Sequence, residues 1–216
     1  MTRSYGQYCA LARSLDRIGD RWTLLIVREL LIGPRRYSDL RVALPGIASN
    51  LLAARLRQLE DDGLVRHRRI PAPTPAMLYE LTPDGEALEE AVLALGRWGG
   101  RWMEQRGDDS FQPRWLVLAL RALMTDRVPG GGNAAWQFEV EGEVMHALID
   151  RDGIEIGLGP APDPDLTIGC RAEILLGLTA GYVSVADAEA AGVATVTGNS
   201  AARKVFGRLV TATRSS

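Results

Sequence analysis

Residues 15–66, LDRIGDRWTLLIVRELLIGPRRYSDLRVALPGIASNLLAARLRQLEDDGLVR, constrain this chain more than any other stretch. Apolar residues recur at steps of three and four in successive blocks, and Gly33-Pro34 and Pro45-Gly46 separate the blocks. A segment punctuated in this way has to fold as short helices meeting at angles. The spacing predicts helices over residues 8–18, Arg21–Leu31, Ser38–Leu44 and Ser49–Asp62, with Ser38 and Ser49 as N-caps and Gly63 as terminator. On the last of these, Leu52, Leu56 and Leu59 share one face, and Asn50, Ala53, Ala54 and Arg57 share the other. Such a helix can pack through its leucines and enter a DNA major groove with the opposite face. It can equally be one member of an ordinary helical core.

The segment after these helices bears on that choice. Residues Leu64–Ile70 and Met77–Leu81 read as two strands around a tip stiffened by Pro71, Pro73 and Pro75. Strand alternation sends Arg66 and Arg68 to one side and Arg69 to the other, so an arginine reaches phosphate whichever side faces DNA. Arg35 and Arg36 would hold flanking phosphates, which positions a protein without reading sequence. Ser49 offers a hydroxyl, Asn50 can pair with adenine, and Arg57 can fork onto guanine, while the small Ala53 permits close approach. Arg55, flanked by leucines, suits either DNA or an internal ion pair with Asp39 or Glu29. Charge is distributed unevenly: residues 1–79 carry +6 and residues 107–216 carry −5, within a chain of net charge −2. That split suits a polyanion-binding part joined to one that does not bind polyanions.

From Thr82 a long helix is expected to about Met103, with Leu88, Val92, Leu95, Trp98 and Trp102 forming a stripe too long for a small domain to bury. Pairing with a second copy, or with another domain, would cover it. Residues 105–110 are the polar linker, so two domains are expected, 1–106 and 107–216. In the second, a hydrophobic helix over Pro113–Met124 and the glycine run Gly130–Gly132 precede strands at Trp136–Val140, Val144–Asp150, Ile154–Leu158 and Asp165–Gly169. Helices over 171–181 and 184–191, a strand at Val193–Thr197 and a last helix over Ala201–Thr213 complete it. That order denotes an α+β fold with a mainly antiparallel sheet. Trp136, Phe138, Met145, Leu175, Leu178 and Tyr182 would line a cavity for a hydrophobic ligand, or simply form core.

Residues 9–102 resemble the HxlR-type winged helix-turn-helix regulators, related to the MarR group. The matching stretches are CALARSLDRIGDRWTLLIVREL, GPRRYSDLR, LPGIASNLLAARLRQLEDDGLV and YELTPDG before a helix ending in Trp98. The resemblance implies a homodimer held by the first and last helices, Leu11 included, with recognition helices in successive major grooves of double-stranded DNA. Two departures stand out. The usual Cys-Pro is here Cys9-Ala10, and the wing tip has Ala76 and Met77 where a basic residue is usual. Some members sense oxidants through that cysteine; the plainer reading of Cys9 is a small buried residue. Residues 136–212 resemble the sterol-carrier-protein-like fold, through HALIDRDGIEIGLG, the DPDL before a strand, and the order of elements after it. That resemblance implies a tunnel holding a lipid-like or other hydrophobic molecule.

The remaining classes are weak. His67 and His146 are the two histidines and neither has a nucleophile or metal set near it in sequence, so neither an enzyme nor a metal or other cofactor is expected. Cys9 and Cys170 form neither a metal spacing nor a disulfide framework. No apolar run reaches bilayer length and no secretory segment opens the chain, which points to the cytoplasm and away from a membrane partner. The competing reading from another class is a lipid-binding carrier that uses its winged module only to dimerise.

Overall fold

The structure is a computed structural model and describes residues 4–71, 75–103, 109–124 and 133–211. The tip residues 72–74, linker residues 105–108 and the glycine run 130–132 lie outside the described residues. The chain divides into two compact units, residues 1–95 and 96–216, the division falling inside a helix.

The first unit opens with α1 (Ala10–Ile18) and α2 (Thr23–Ile32). Between them Trp22 has φ of 79°, a left-handed conformation that costs about 1 kcal/mol for a residue with a Cβ. Packing of Trp22 against the unit's core offsets that cost. After Gly33 a two-residue strand, β1 (Arg35–Arg36), leads into α3 (Tyr37–Ala43), and the Pro45-Gly46 turn leads into α4 (Ser49–Asp61). Neither expected serine cap forms. Ser38 lies inside α3, where its hydroxyl donates to Asp39 Oδ1 at 3.1 Å, and Ala48 holds the cap position before α4. Gly63, at φ of 72°, closes α4 as expected: its N–H donates to Glu60 O and that of Leu64 to Leu59 O. The core gathers Ile26, Val27, Leu30, Leu40, Leu44, Val65 and Leu81 around the three leucines of α4, which are at most 1% exposed.

β2 (Val65–Ile70) and β3 (Ala76–Leu81) pair antiparallel, and β1 joins the other edge of β3. The expected long helix after Thr82 is broken into α5 (Pro83–Glu86), α6 (Glu89–Gly99) and a 3₁₀ turn over Gly100–Trp102. Thr82 Oγ1 accepts from the Gly85 N–H and donates to Gly63 O at 2.6 Å, tying this corner to the end of α4. Gly85 is required there, because a Cβ would lie 2.1 Å from Leu64 O.

The second unit holds a 3₁₀ turn (Pro113–Trp115), α7 (Leu116–Met124), β4 (Ala134–Val140), β5 (Glu143–Ile149), β6 (Ile154–Leu158) and β7 (Leu166–Cys170). It continues through α8 (Ala172–Thr179), α9 (Val185–Ala190), β8 (Ala194–Gly198) and α10 (Ser200–Thr211). The sheet order is β6-β5-β4-β7-β8, antiparallel except for the central β4–β7 pair. The unit is therefore α+β with a mainly antiparallel sheet. Glu141 and Gly142, both at positive φ, turn β4 into β5 with the twist a hairpin needs. Alternate strand residues point to one face and join α7, α8 and α10 in one core. The Asp163-Pro164-Asp165 corner is held against β4: Asp165 Oδ2 accepts from the Ala135 N–H at 2.9 Å.

Candidate nucleic-acid interface

The helix-turn-helix is fastened at its entrance. The Tyr37 hydroxyl, on the first turn of α3, donates to Ser49 O at 2.7 Å, joining the starts of α3 and α4 across the turn. With Leu52, Leu56 and Leu59 pinned in the core, α4 has a fixed rotation. Ser49, Asn50 and Arg57 are exposed on its outward side and Ala53 is half-buried among them. Asn50 Oδ1 accepts from the Leu51 N–H at 3.0 Å, which leaves the amide N–H donors for another acceptor. Arg57 makes no hydrogen bond or ion pair with any described residue. Its charge acts on Tyr79, although burial of that phenol, with Glu60 and Tyr37 nearby, pushes the Tyr79 pKa up.

The arginines divide into held and free. Arg55 pairs with Asp20 at 2.6 Å, so the internal ion pair exists but its partner is neither Asp39 nor Glu29. Glu29 is fully buried, 2.7 Å from Arg28 and 3.6 Å from Arg35. Arg35 thus turns inward, a correction to its expected place on a phosphate, and the strand register explains it. Arg35 lies opposite Tyr79 and shares the inner face of the sheet, whereas Arg36 lies opposite Leu78 and is exposed on the outer one. Arg66 Nε donates to Glu80 Oε1 at 2.8 Å and Arg68 Nε to Glu80 Oε2 at 3.2 Å. These two guanidiniums hold the Glu80 carboxyl below the usual range, the Arg68 hydrogen bond most of all. Arg69 is exposed on the opposite face with no partner among the described residues. It shares that face with His67, whose Nδ1 lies 2.5 Å from Glu60 Oε1 on α4. Arg69 therefore lies on the face of the β2–β3 hairpin that carries the contact to α4.

Three contributors escaped the sequence reading. Arg41, exposed on α3 and without a partner among the described residues, shows only as one more basic residue in a basic segment. Tyr37 needed the geometry of the turn. Glu80 was legible in principle, because pairing the two predicted strands in the register Arg66↔Glu80 sets it opposite the arginines.

Elsewhere the expected residues have different surroundings. Cys9 is exposed at the start of α1, not buried, whereas burial pushes the Cys170 thiol up to about 11. Of the apolar stripe, Leu88 and Val92 are partly buried against the first unit's core, while Leu95, Trp98 and Trp102 stay about half-exposed. Leu11 is also exposed, on α1. Trp98 and Trp102 stack edge to face at 4.4 Å, with the Arg101 guanidinium over both rings. The expected cavity lining is corrected. Trp136, Phe138, Met145, Leu175 and Leu178 are 0% exposed in one buried core, with Trp136 edge-on to Phe206 at 5.2 Å, and Tyr182 is 84% exposed outside that core. An open depression of about 570 Å³ lies instead at the strand ends, between Ala135, Leu148 and Ile154 and a rim of Asp150, Glu155 and Asp165. His146 Nδ1 sits 3.1 Å from Gly159 O. Among the described residues no cluster of three His, Cys, Asp or Glu could hold a metal ion, and no helix is long and apolar enough to cross a membrane.

Comparison with known proteins bears on the first unit. The HxlR-like helix-turn-helix signature matches residues 17–107. The uncharacterized HTH-type transcriptional regulator sll1512 of Synechocystis is 35% identical over 100 residues, 46% of this chain and 74% of its own length. The uncharacterized HTH-type transcriptional regulator YtfH of Escherichia coli is 36% identical over 94 residues, 44% of this chain and 75% of its own. The reduced form of the Bacillus subtilis transcriptional regulator YodB is 29% identical, with a TM-score of 0.40 over 47% of this chain and all of its own. By its helix-turn-helix, its wing and its sequence relatives, the chain belongs to the HxlR-like helix-turn-helix family.

Proposed function

We propose that the chain is a cytoplasmic, dimeric, sequence-specific DNA-binding transcription regulator, and not an enzyme. The observation that carries this reading is the outward face of α4. Arg57 and Asn50 stand exposed two turns apart, with side-chain donors left for base edges, while buried leucines fix the helix. Arg36, Arg41 and Arg69 supply free charge around it for phosphates. Exposed Leu11 on α1 and Leu95, Trp98 and Trp102 in and after α6 supply apolar surface for a second copy, which would set two half-sites about 34–36 Å apart. The test is a footprint titration on DNA upstream of the chain's own gene. Arg57→Ala is expected to cost about 1–3 kcal/mol at the protected site and to relax sequence preference. Unchanged affinity and preference would remove Arg57 from the reading set.

The second unit, in this reading, is a sterol-carrier-like module whose hydrophobic ligand shifts DNA affinity. What supports it is the order of strands and helices in the unit, which is the order the sequence resemblance implies. A ligand acts only through unequal affinity for two states of the dimer. Native mass spectrometry of the purified chain reports dimer mass and retained ligand together. A retained ligand without salt-sensitive DNA binding would favour the carrier reading. The exposed Cys9 thiol supports an oxidant-responsive variant of the same regulator, which Cys9→Ser would abolish.

A further inference from the structure

We propose that Glu80 is a positioning residue that holds Arg66 and Arg68 as a two-pronged phosphate clamp on the outer face of the wing. The inference rests on the DNA-binding reading and deepens it. Each carboxylate oxygen of Glu80 takes the Nε–H of one arginine, at 2.8 and 3.2 Å. Neither Nη pair has a partner among the described residues, and the two side chains remain 64% and 54% exposed. A guanidinium held by Nε still presents its Nη1 and Nη2 edge, which is sufficient for a phosphate oxygen pair. Strand register adds a third cation to the same face, since Arg68, Leu78 and Arg36 lie side by side across β2, β3 and β1. The lowered pKa of Glu80 keeps it ionised at neutral pH, so the tether persists there.

Two opposed effects decide the sign. A carboxylate about 7 Å from a bound phosphate weakens binding by roughly threefold in high dielectric, and less in salt. Ordering a long side chain in advance favours binding by roughly two- to tenfold for each chain, and Glu80 orders two. Positioning outweighs repulsion. Glu80→Gln, which keeps one acceptor and loses the charge, is therefore expected to weaken binding although the protein becomes more positive.

The experiment titrates the full-length chain into a fluorescent random-sequence DNA duplex of about three helical turns over a series of salt concentrations. Glu80→Gln should bind about two- to threefold more weakly, with the slope of log K against log salt shallower by about one contact. Glu80→Asp should recover part of the loss. In the Arg66→Gln/Arg68→Gln background, the Glu80 change should no longer weaken binding and should at most tighten it slightly by removing the carboxylate's repulsion, a reversal that general loss of stability would not produce. Tighter or equal binding by Glu80→Gln makes Glu80 a plain counter-ion and overturns the proposal. No salt-sensitive binding by the unaltered chain overturns the DNA reading itself, and the clamp with it.

Discussion

Arg35 sits with its guanidinium 3.6 Å from a carboxylate that has no exposure, and Arg36, one residue on, stands in solvent on the other face of the same strand. The two should separate cleanly in experiment. Removing Arg35 takes a cation from a buried charge, which costs about 2–4 kcal/mol, read as a lower urea midpoint. Arg36→Ala should leave that midpoint within about 0.5 kcal/mol and reduce the salt slope of DNA binding by about 1. Equal effects of both on stability would mean that the Glu29 pair is not what holds β1. Glu80 sets a pH dependence at the same scale. Its folded pKa lies below the ordinary value of 4.5, so its contribution to stability is fully present above that value. The contribution is lost as pH falls through the folded pKa. The thermal midpoints of the unaltered chain and Glu80→Gln should differ at pH 7 and converge as pH falls below 4.5 and through the lowered folded pKa.

The corner between β3 and α6 shows what an element requires beyond its periodicity. Thr82 caps α5, Pro83 starts it, and Gly85 lets its backbone pass over Leu64 O. Gly85→Ala should cost about 3 kcal/mol, the high end for overpacking, because the clash is with backbone and not with a side chain that can rotate away. Calorimetry checks it, and a loss under about 1 kcal/mol would show that the corner can relax. The same corner explains where the sequence reading fell short. Helical spacing from Leu88 to Trp102 is genuine, but periodicity contains neither the break at Ala87–Leu88 nor the close approach of Gly85 to Leu64 O. The α4 leucine face and the Gly63 stop were legible, since each arises from local geometry alone. The strand β1 was not: two arginines have no strand pattern, and the element exists only because β3 pairs with it. Among the site residues, exposure of Asn50 and Arg57 followed from helix phase, whereas the fates of Arg35, Arg66 and Arg68 depended on acids that only the register brings near. In the second unit, apolar character marked Trp136, Phe138 and Met145 as lining or core, and apolar character does not distinguish a solid core from a lined cavity.

At the scale of the whole molecule, the apolar surface left over asks for a partner. Leu95, Trp98 and Trp102 succeed one another in α6 and the turn after it, each about half-exposed, and Met103, next in sequence, is 75% exposed. Isolated surface leucines need no explanation, but two tryptophans stacked on each other with an arginine over both are what buried interface centres are made of. In the proposed dimer that partner is a second copy, because a two-fold axis lets one apolar stripe cover its own equivalent. Replacing both tryptophans by alanine should then weaken the dimer by about 4 kcal/mol, roughly a thousandfold in dissociation constant. Sedimentation over a concentration series would read this as half the mass at micromolar protein. DNA binding should fall with it, since a lone recognition helix keeps one half-site and loses the gain from linking two. If mass stays at the dimer value while DNA binding falls, α6 supports the helix-turn-helix without forming the interface. If both stay unchanged, the exposed tryptophans serve neither purpose.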